Sequence, residues 1–219
     1  MAETRIKYPR TMHLPWSPGV TDDDEVMTDL DCFKGKEVVV TEKMDGECTT
    51  LIRGCCYARS VDSRDHESRH WIKAFHGSIR HLIPEGWRIC GENLNVVHTI
   101  RYESLPTWFI VFSVWDERGV AINWGDTMVM AEDLGVGHVP VLYGGVWDEN
   151  AVKACWTGRG VYGLLQEGYV VRLEGSFGHG DFGRSVAKFV RRGHVQTDGH
   201  WRRRKLEFNG LRLDVGSGP

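Results

Sequence analysis

No apolar run in this sequence approaches the roughly 20 residues that a membrane-spanning helix requires, so a helical membrane protein is excluded. Met1 to Arg10 holds no apolar stretch of the signal-peptide kind, and a cytoplasmic protein with no membrane partner is expected. None of the six cysteines (Cys32, Cys48, Cys55, Cys56, Cys90 and Cys155) forms a CxxC pair. The adjacent Cys55 and Cys56 suit neither a disulfide framework nor a zinc site, and reduced thiols are expected. There is no excess of positive charge either: the formal net charge is -3. Internal repeats and linkers are absent, which points to one domain over 1–219, with an irregular lead-in at 1–35 and a basic tail at 196–219.

What is present is a core-forming composition, with 41% hydrophobic residues and nine tryptophans. Apolar, β-branched runs predict strands at 36–40, 48–52, 55–60, 87–94, 108–116, 139–143, 167–173 and 185–190. Helices are predicted over 70–83, where apolar residues recur at helical spacing, over 126–134 with Asp126 as N-cap, and over 149–157. So few helices do not cover a doubly wound sheet, and the expected class is α+β with mainly antiparallel sheets and flanking helices.

Thr41-Glu42-Lys43-Met44-Asp45-Gly46-Glu47 organises the reading. Lys43 ends an apolar run and a glycine follows three residues later, which sets an amine at a strand-to-turn junction. A lysine becomes nucleophilic when burial or a nearby cation lowers its pKa. The same residues also read as a surface hairpin with Asp45-Gly46 as its turn. Further along, Arg59, Glu92, Glu167 and Lys188 each sit at the end of an apolar run. One attacking lysine, a second lysine, two carboxylates and an arginine suit nucleotidyl transfer, which relies on positioning and charge stabilisation around phosphorus.

Lys43-Met44-Asp45-Gly46 matches KxDG. Ala58-Arg59-Ser60, Gly91-Glu92-Asn93, Val111 to Asp116, Glu167-Gly168-Tyr169-Val170-Val171 and Ala187-Lys188-Phe189-Val190 follow it in order. Over roughly 36–195 this set resembles the covalent nucleotidyltransferases: ATP-dependent RNA and DNA ligases and GTP-dependent capping enzymes. DNA ligases and capping enzymes usually carry arginine where this chain has Cys48, so the sequence is more similar to RNA ligases. Many RNA ligases have asparagine there, and motif V often reads KxK where this chain has Val190.

The resemblance implies a ligase-type nucleotidyltransferase domain; no appended OB domain is expected, since only about thirty residues follow Lys188. It implies an ATP-dependent RNA ligase that joins 3′-OH and 5′-phosphate RNA ends through a lysyl-AMP enzyme and an adenylylated 5′ end. Lys43 is the implied nucleophile and Lys188 the group on the α-phosphate. Glu92 is assigned to a ribose hydroxyl, Arg59 to the ribose or a terminal phosphate, and Phe112 to stacking on adenine. Glu42 would bound the adenine pocket, and Glu167 would orient a hydrated Mg²⁺ or Mn²⁺. His66, Arg69 and Lys73 read either as a 5′-phosphate clamp or as a solvated helix start.

Arg191, Arg192, Arg202, Arg203, Arg204 and Trp201 mix charge with an aromatic ring, which suits phosphate contact and base stacking. An RNA-repair partner protein is a further expectation, since no clamping domain follows Lys188. Competing readings are a DNA ligase or capping-type enzyme, and an inactive module that binds nucleic-acid ends.

Overall fold

The computed structural model describes residues 4–62, 65–193 and 206–212. Its strands, in chain order, are β1 (Met12–His13), β2 (Glu37–Lys43), β3 (Glu47–Leu51), β4 (Cys56–Ala58), β5 (Arg88–Asn93), β6 (Phe109–Trp115), β7 (Val120–Ala121), β8 (Gly137–His138), β9 (Val141–Val146), β10 (Gly168–Leu173), β11 (Phe177–Gly178) and β12 (Val186–Val190). The α-helices are α1 (His70–Ile79), α2 (Trp124–Asp133), α3 (Glu149–Ala154) and α4 (Phe182–Ser185). This is the expected α+β class with mainly antiparallel pairing.

The strands form two sheets. One runs β1-β12-β10-β2-β9; the other runs β11-β7-β6-β5-β3-β4, with β8 on β6. Successive strand residues face opposite sides, so β2 sends Val38 and Val40 outward and Val39 inward. The outward pair packs with Leu14, Met27 and Phe33 of the N-terminal segment and with Val152 of α3. The second sheet covers its own outer face with α1 and α2, through Ile72, Ile79 and Ala131. Between the sheets lie Val39, Met44, Tyr102 and Ile110 at one end, and Trp115, Phe177, Phe182 and Val186 at the other.

The hairpin reading of Asp45-Gly46 is corrected. β2 pairs with β10 and β9, whereas β3 pairs with β4 and β5 in the other sheet. The Met44-Asp45-Gly46 stretch is the crossing between sheets, and Asp45 pins it. Its buried carboxylate Oδ2 accepts from Thr99 N–H (2.8 Å), Thr99 Oγ1 (2.7 Å) and Ile100 N–H (2.6 Å). Tyr102 Oη accepts the Asp45 N–H at 2.8 Å.

Two glycines of the motif stretches answer to space. A Cβ on Gly91 would lie 2.5 Å from the Phe109 ring, and one on Gly168 would lie 1.9 Å from the Phe189 carbonyl oxygen. Either would push apart the backbones that carry the neighbouring Glu92 and Glu167.

Three further points bear on the predicted elements. The lead-in is mostly irregular but carries one short strand, Met12–His13, which pairs in parallel with Ala187 and Lys188. The N-cap of α2 is Asn123, whose side chain accepts from Asp126 N–H, so Asp126 sits in the first turn. Part of the predicted tail is docked: Val97 N–H donates to Glu207 O (2.8 Å), and Arg212 N–H donates to Leu105 O (2.8 Å). Asn209 holds this segment, with Oδ1 accepting Tyr102 N–H (2.8 Å) and Nδ2 donating to Leu94 O (2.8 Å). Among the described residues no helix is long and apolar enough to cross a membrane.

Asn209→Ala strands a buried N–H and a buried carbonyl, each worth roughly 1–3 kcal/mol when unsatisfied. The expected outcome is a loss of that order in a urea melt and faster protease cleavage around 206–212. An unchanged melt and cleavage pattern would contradict the docking.

Candidate active site

A cavity of about 930 Å³ opens between the sheets. The first sheet contributes Lys43 of β2, Glu167 at the entry to β10, and Lys188 of β12. The second contributes Cys48 of β3, Glu92 of β5, Phe112 of β6, and Arg59 just after β4. The burial pattern marks several of these side chains. Lys43, Glu92 and Phe112 are the residues left partly open in otherwise buried stretches of β2, β5 and β6.

Lys43 Nζ lies 2.8 Å from both carboxylate oxygens of Glu167, which is 1% exposed. Adjacent strands set this pair, since Lys43 and Gly168 are register partners. Burial works against the Lys43 charge, but the Glu167 and Glu92 carboxylates outweigh it and raise the pKa overall. The resting amine is therefore an ammonium. Burial pushes Glu92 up to about 8, with Lys43 pulling it down and Glu167 pushing it up.

Lys188 is held by Asp24, Nζ to Oδ1 at 3.4 Å. Burial lowers its pKa, Asp24 opposes that, and Lys43 adds to the lowering. Arg59 Nε donates to Tyr8 O at 3.1 Å. The Tyr8 ring meets Phe112 edge-on with centroids 5.1 Å apart, so the N-terminal segment walls the Phe112 end of the cavity. Arg172 of β10 also lines it, buried, with Nη2 on Ile122 O (2.8 Å) and Nη1 without a partner.

Of the other predicted site residues, Glu42 and Arg69 sit at the edge of this cavity and the remaining described ones lie outside it. Glu42 touches the cavity wall, but its side chain follows Val38 and Val40 to the outer face of β2. There Oε2 accepts Val161 N–H at 2.8 Å and Oε1 has no partner. Burial is the main reason its pKa is raised to about 7. Arg69 reaches the cavity rim bound to Glu47 (Nε–Oε2 2.7 Å). Lys73 pairs with Asp65 (2.5 Å) beside a second cavity of about 240 Å³, and His66 N-caps a short 3₁₀ turn. Arg191 and Arg192 follow β12 and do not line the main cavity. Trp201, Arg202, Arg203 and Arg204 lie outside the described residues.

Sequence reading missed Tyr8, Asp24 and Arg172. Arg172 had a signal, a charge in the middle of an apolar strand. Tyr8 and Asp24 had none, because their partners are remote in sequence. Among the described residues no group of three His, Cys, Asp or Glu side chains is arranged to hold a metal. Glu167 instead fits a hydrated hard cation shared with phosphate oxygens, the usual manner of Mg²⁺.

A mixed two-sheet domain with a lysine–carboxylate pair in its central cleft defines a nucleotidyltransferase-type fold. The Naegleria gruberi RNA ligase shares it. A mutant with ATP and Mn aligns at TM-score 0.55 with 17% identity, covering 84% of this chain and 58% of that one. The same ligase with PPi aligns at 0.55 and 18%, covering 86% and 61%. A mutant with AMP and Mn aligns at 0.55 and 18%, covering 84% and 57%. The chain thus spans about three-fifths of the length of these proteins. Curated proteins give no significant match. The RNA ligase family model matches residues 36–190, and the chain belongs to the RNA ligase family.

Glu42 sets a pH dependence. Its folded-state pKa of about 7 lies above its ordinary value of 4.5. The native state keeps a proton that the unfolded state has lost, so this contribution is full below about 4.5 and is lost as pH rises through about 7. Glu42→Gln is expected to raise stability at pH 8 by on the order of 2 kcal/mol and to flatten the fall between pH 5 and 8. A Gln variant no more stable than wild type at pH 8 would contradict this.

Proposed function

We propose that this chain is an ATP-dependent RNA ligase in which Lys43 carries AMP. The observation that carries the reading is the Lys43–Glu167 pair inside a cleft that also gathers Lys188, Glu92, Arg59 and Phe112. The solved relatives bind ATP, AMP and Mn, and the same ligands are proposed here.

In the first step Lys43 Nζ attacks the α-phosphorus of ATP. The N–P bond forms, the bond to the pyrophosphate oxygen breaks, and the amine gives up its protons to Glu167 or solvent. Lys188 faces the phosphorus and offsets the charge that develops on its oxygens. A divalent cation, when bound, would add neutralisation at the phosphates; Glu167 is the residue that would hold it. Arg59 and Glu92 orient the ribose, and Phe112 lies against the base. A 5′-phosphate oxygen of RNA then attacks the lysyl-AMP phosphorus, which releases Lys43 and leaves an adenylylated end. Attack by a 3′-OH joins the ends and releases AMP. An RNA-repair setting in the cytoplasm, with a partner protein to help hold RNA, belongs to the same proposal.

Incubation with labelled ATP and Mn²⁺ is expected to give an acid-labile adduct that survives denaturing electrophoresis. Lys43→Ala removes it, and Lys188→Ala lowers its rate by about 10²–10³, as for other groups aimed at a reacting centre. An adduct of equal intensity in Lys43→Ala would refute the assignment.

The basic residues at 202–204 are proposed to contact RNA phosphates. Each such contact contributes roughly 0.7 to the log–log salt slope for a single strand. Changing all three arginines to alanine is expected to weaken RNA binding and flatten the slope, with the ATP adduct retained. Equal affinity and slope in the triple variant, or loss of the adduct, would contradict the proposal.

A further inference from the structure

The N-terminal segment does more than cover a sheet. Its backbone is sewn to the strand that carries Lys188. His13 and Lys188 are register partners in the parallel β1–β12 pair, and Leu14 N–H donates to Lys188 O at 2.8 Å. On the other side of β1, His13 N–H donates to Glu25 O (2.7 Å) and Met27 N–H donates to His13 O (2.8 Å). These bonds bring residues 24–27 alongside Lys188 whatever their side chains do.

Of the four consecutive acids Asp22, Asp23, Asp24 and Glu25, three are exposed and Asp24 alone turns inward to line the cavity. Its two oxygens are used differently. Oδ2 accepts Thr21 N–H (3.2 Å) and Thr21 Oγ1 (2.8 Å), which fixes the carboxylate locally. Oδ1 is left for Lys188 Nζ at 3.4 Å. His13 Nε2 stands 3.3 Å from Oδ2, and its Nδ1 is 2.7 Å from Ser17 Oγ, which accepts Val190 N–H at 2.9 Å. The network thus begins at a carboxylate and ends two residues past the lysine.

We propose that Asp24 is a positioning residue for Lys188, aiming its ammonium across the cavity at the α-phosphate. The inference rests on the ligase reading, because it takes the task of Lys188 from there. An ammonium has three N–H donors. One directed at Asp24 leaves two for phosphate oxygens, and the fixed carboxylate selects which way those two point. Lys188 is only 8% exposed and has Lys43 as a like-charged neighbour. A buried cation in that setting is costly without a paired anion. Asp24 has no reason to leave when a nucleotide arrives, since Thr21 and the β1 backbone hold it independently of the lysine.

The alternative is that the Asp24 carboxylate competes with phosphate for Lys188. The two roles predict opposite results. Asp24→Asn and Asp24→Glu are compared with wild type in the Lys188 and Lys188→Ala backgrounds. The readouts are single-turnover adduct formation at saturating ATP, calorimetric binding of the non-reactive α,β-methylene ATP, and thermal midpoint. Asp24→Asn is expected to slow adduct formation at least about tenfold, the scale of a misaimed charge at phosphorus, with Asp24→Glu recovering part of the rate. It is expected to weaken analogue binding about threefold or more with Lys188 present and to have no effect in Lys188→Ala, the non-additivity of two groups acting as one.

Wild-type rates and binding in Asp24→Asn, additive effects in the two backgrounds, or faster reaction with tighter binding would each overturn the inference. If Asp24→Asn melts early, Thr21→Ala, which only frees the carboxylate, supplies the same comparison. A wild-type protein that binds the analogue but forms no adduct would sink the ligase reading, while the binding cycle still decides the role of Asp24.

Discussion

The charge pair between Lys43 and Glu167 is the interaction on which the rest of the molecule depends. Both oxygens of a carboxylate that is 1% exposed face one amine at 2.8 Å. Neither charge tolerates such burial alone, and removing one partner of a buried pair typically costs about 3–5 kcal/mol. The fold meets this requirement with backbone rather than loops. β2 and β10 are neighbours in register, Gly168 admits the close approach of β12, and Asp45 locks the chain as it leaves for the second sheet. A pair so expensive to assemble is weak evidence for stability and a stronger pointer to chemistry.

Around that pair the cavity mixes both signs of charge, with Lys188, Arg59 and Arg172 facing Glu92, Glu42 and Asp24. Glu92 and Glu42 carry pKa values pushed to about 8 and about 7, chiefly by burial. Lys188 is the second lysine among the predicted site residues, and its own partner comes from the N-terminal segment. Such a cleft welcomes added positive charge and phosphate together, which is the state of a metal-bound nucleotide. The resting ammonium of Lys43 also makes chemical sense. An ammonium has no lone pair, so on the proposed reading the amine becomes a nucleophile only when the balance of charge at Glu167 changes.

The strands were legible in the sequence because their apolar runs are long and their interruptions few. Lys43 and Glu92 stood out since each ends such a run, whereas Phe112, apolar and inside its run, was marked only by the family resemblance; the structure leaves all three positions partly open. Pairing was not legible. Periodicity says which face of a strand is buried but not which strand lies beside it, so Glu37–Lys43 and Glu47–Leu51 read as one hairpin while they belong to different sheets. Asp24 was invisible for a related reason. It sits among identical acids, and its partner lies 164 residues away. Glu42 lines the same cavity as Lys43, as adjacency suggested, but alternation along β2 was needed to see that its carboxyl turns away to accept from Val161 N–H.

The most direct measurement is peptide mapping by mass spectrometry of protein incubated with ATP and Mn²⁺. The expected result is a single AMP-modified peptide, with the phosphoramidate on Lys43 and lost on mild acid treatment. AMP attached to any other residue, or no modification under conditions where the protein binds ATP, would contradict the assignment of Lys43 as the nucleophile.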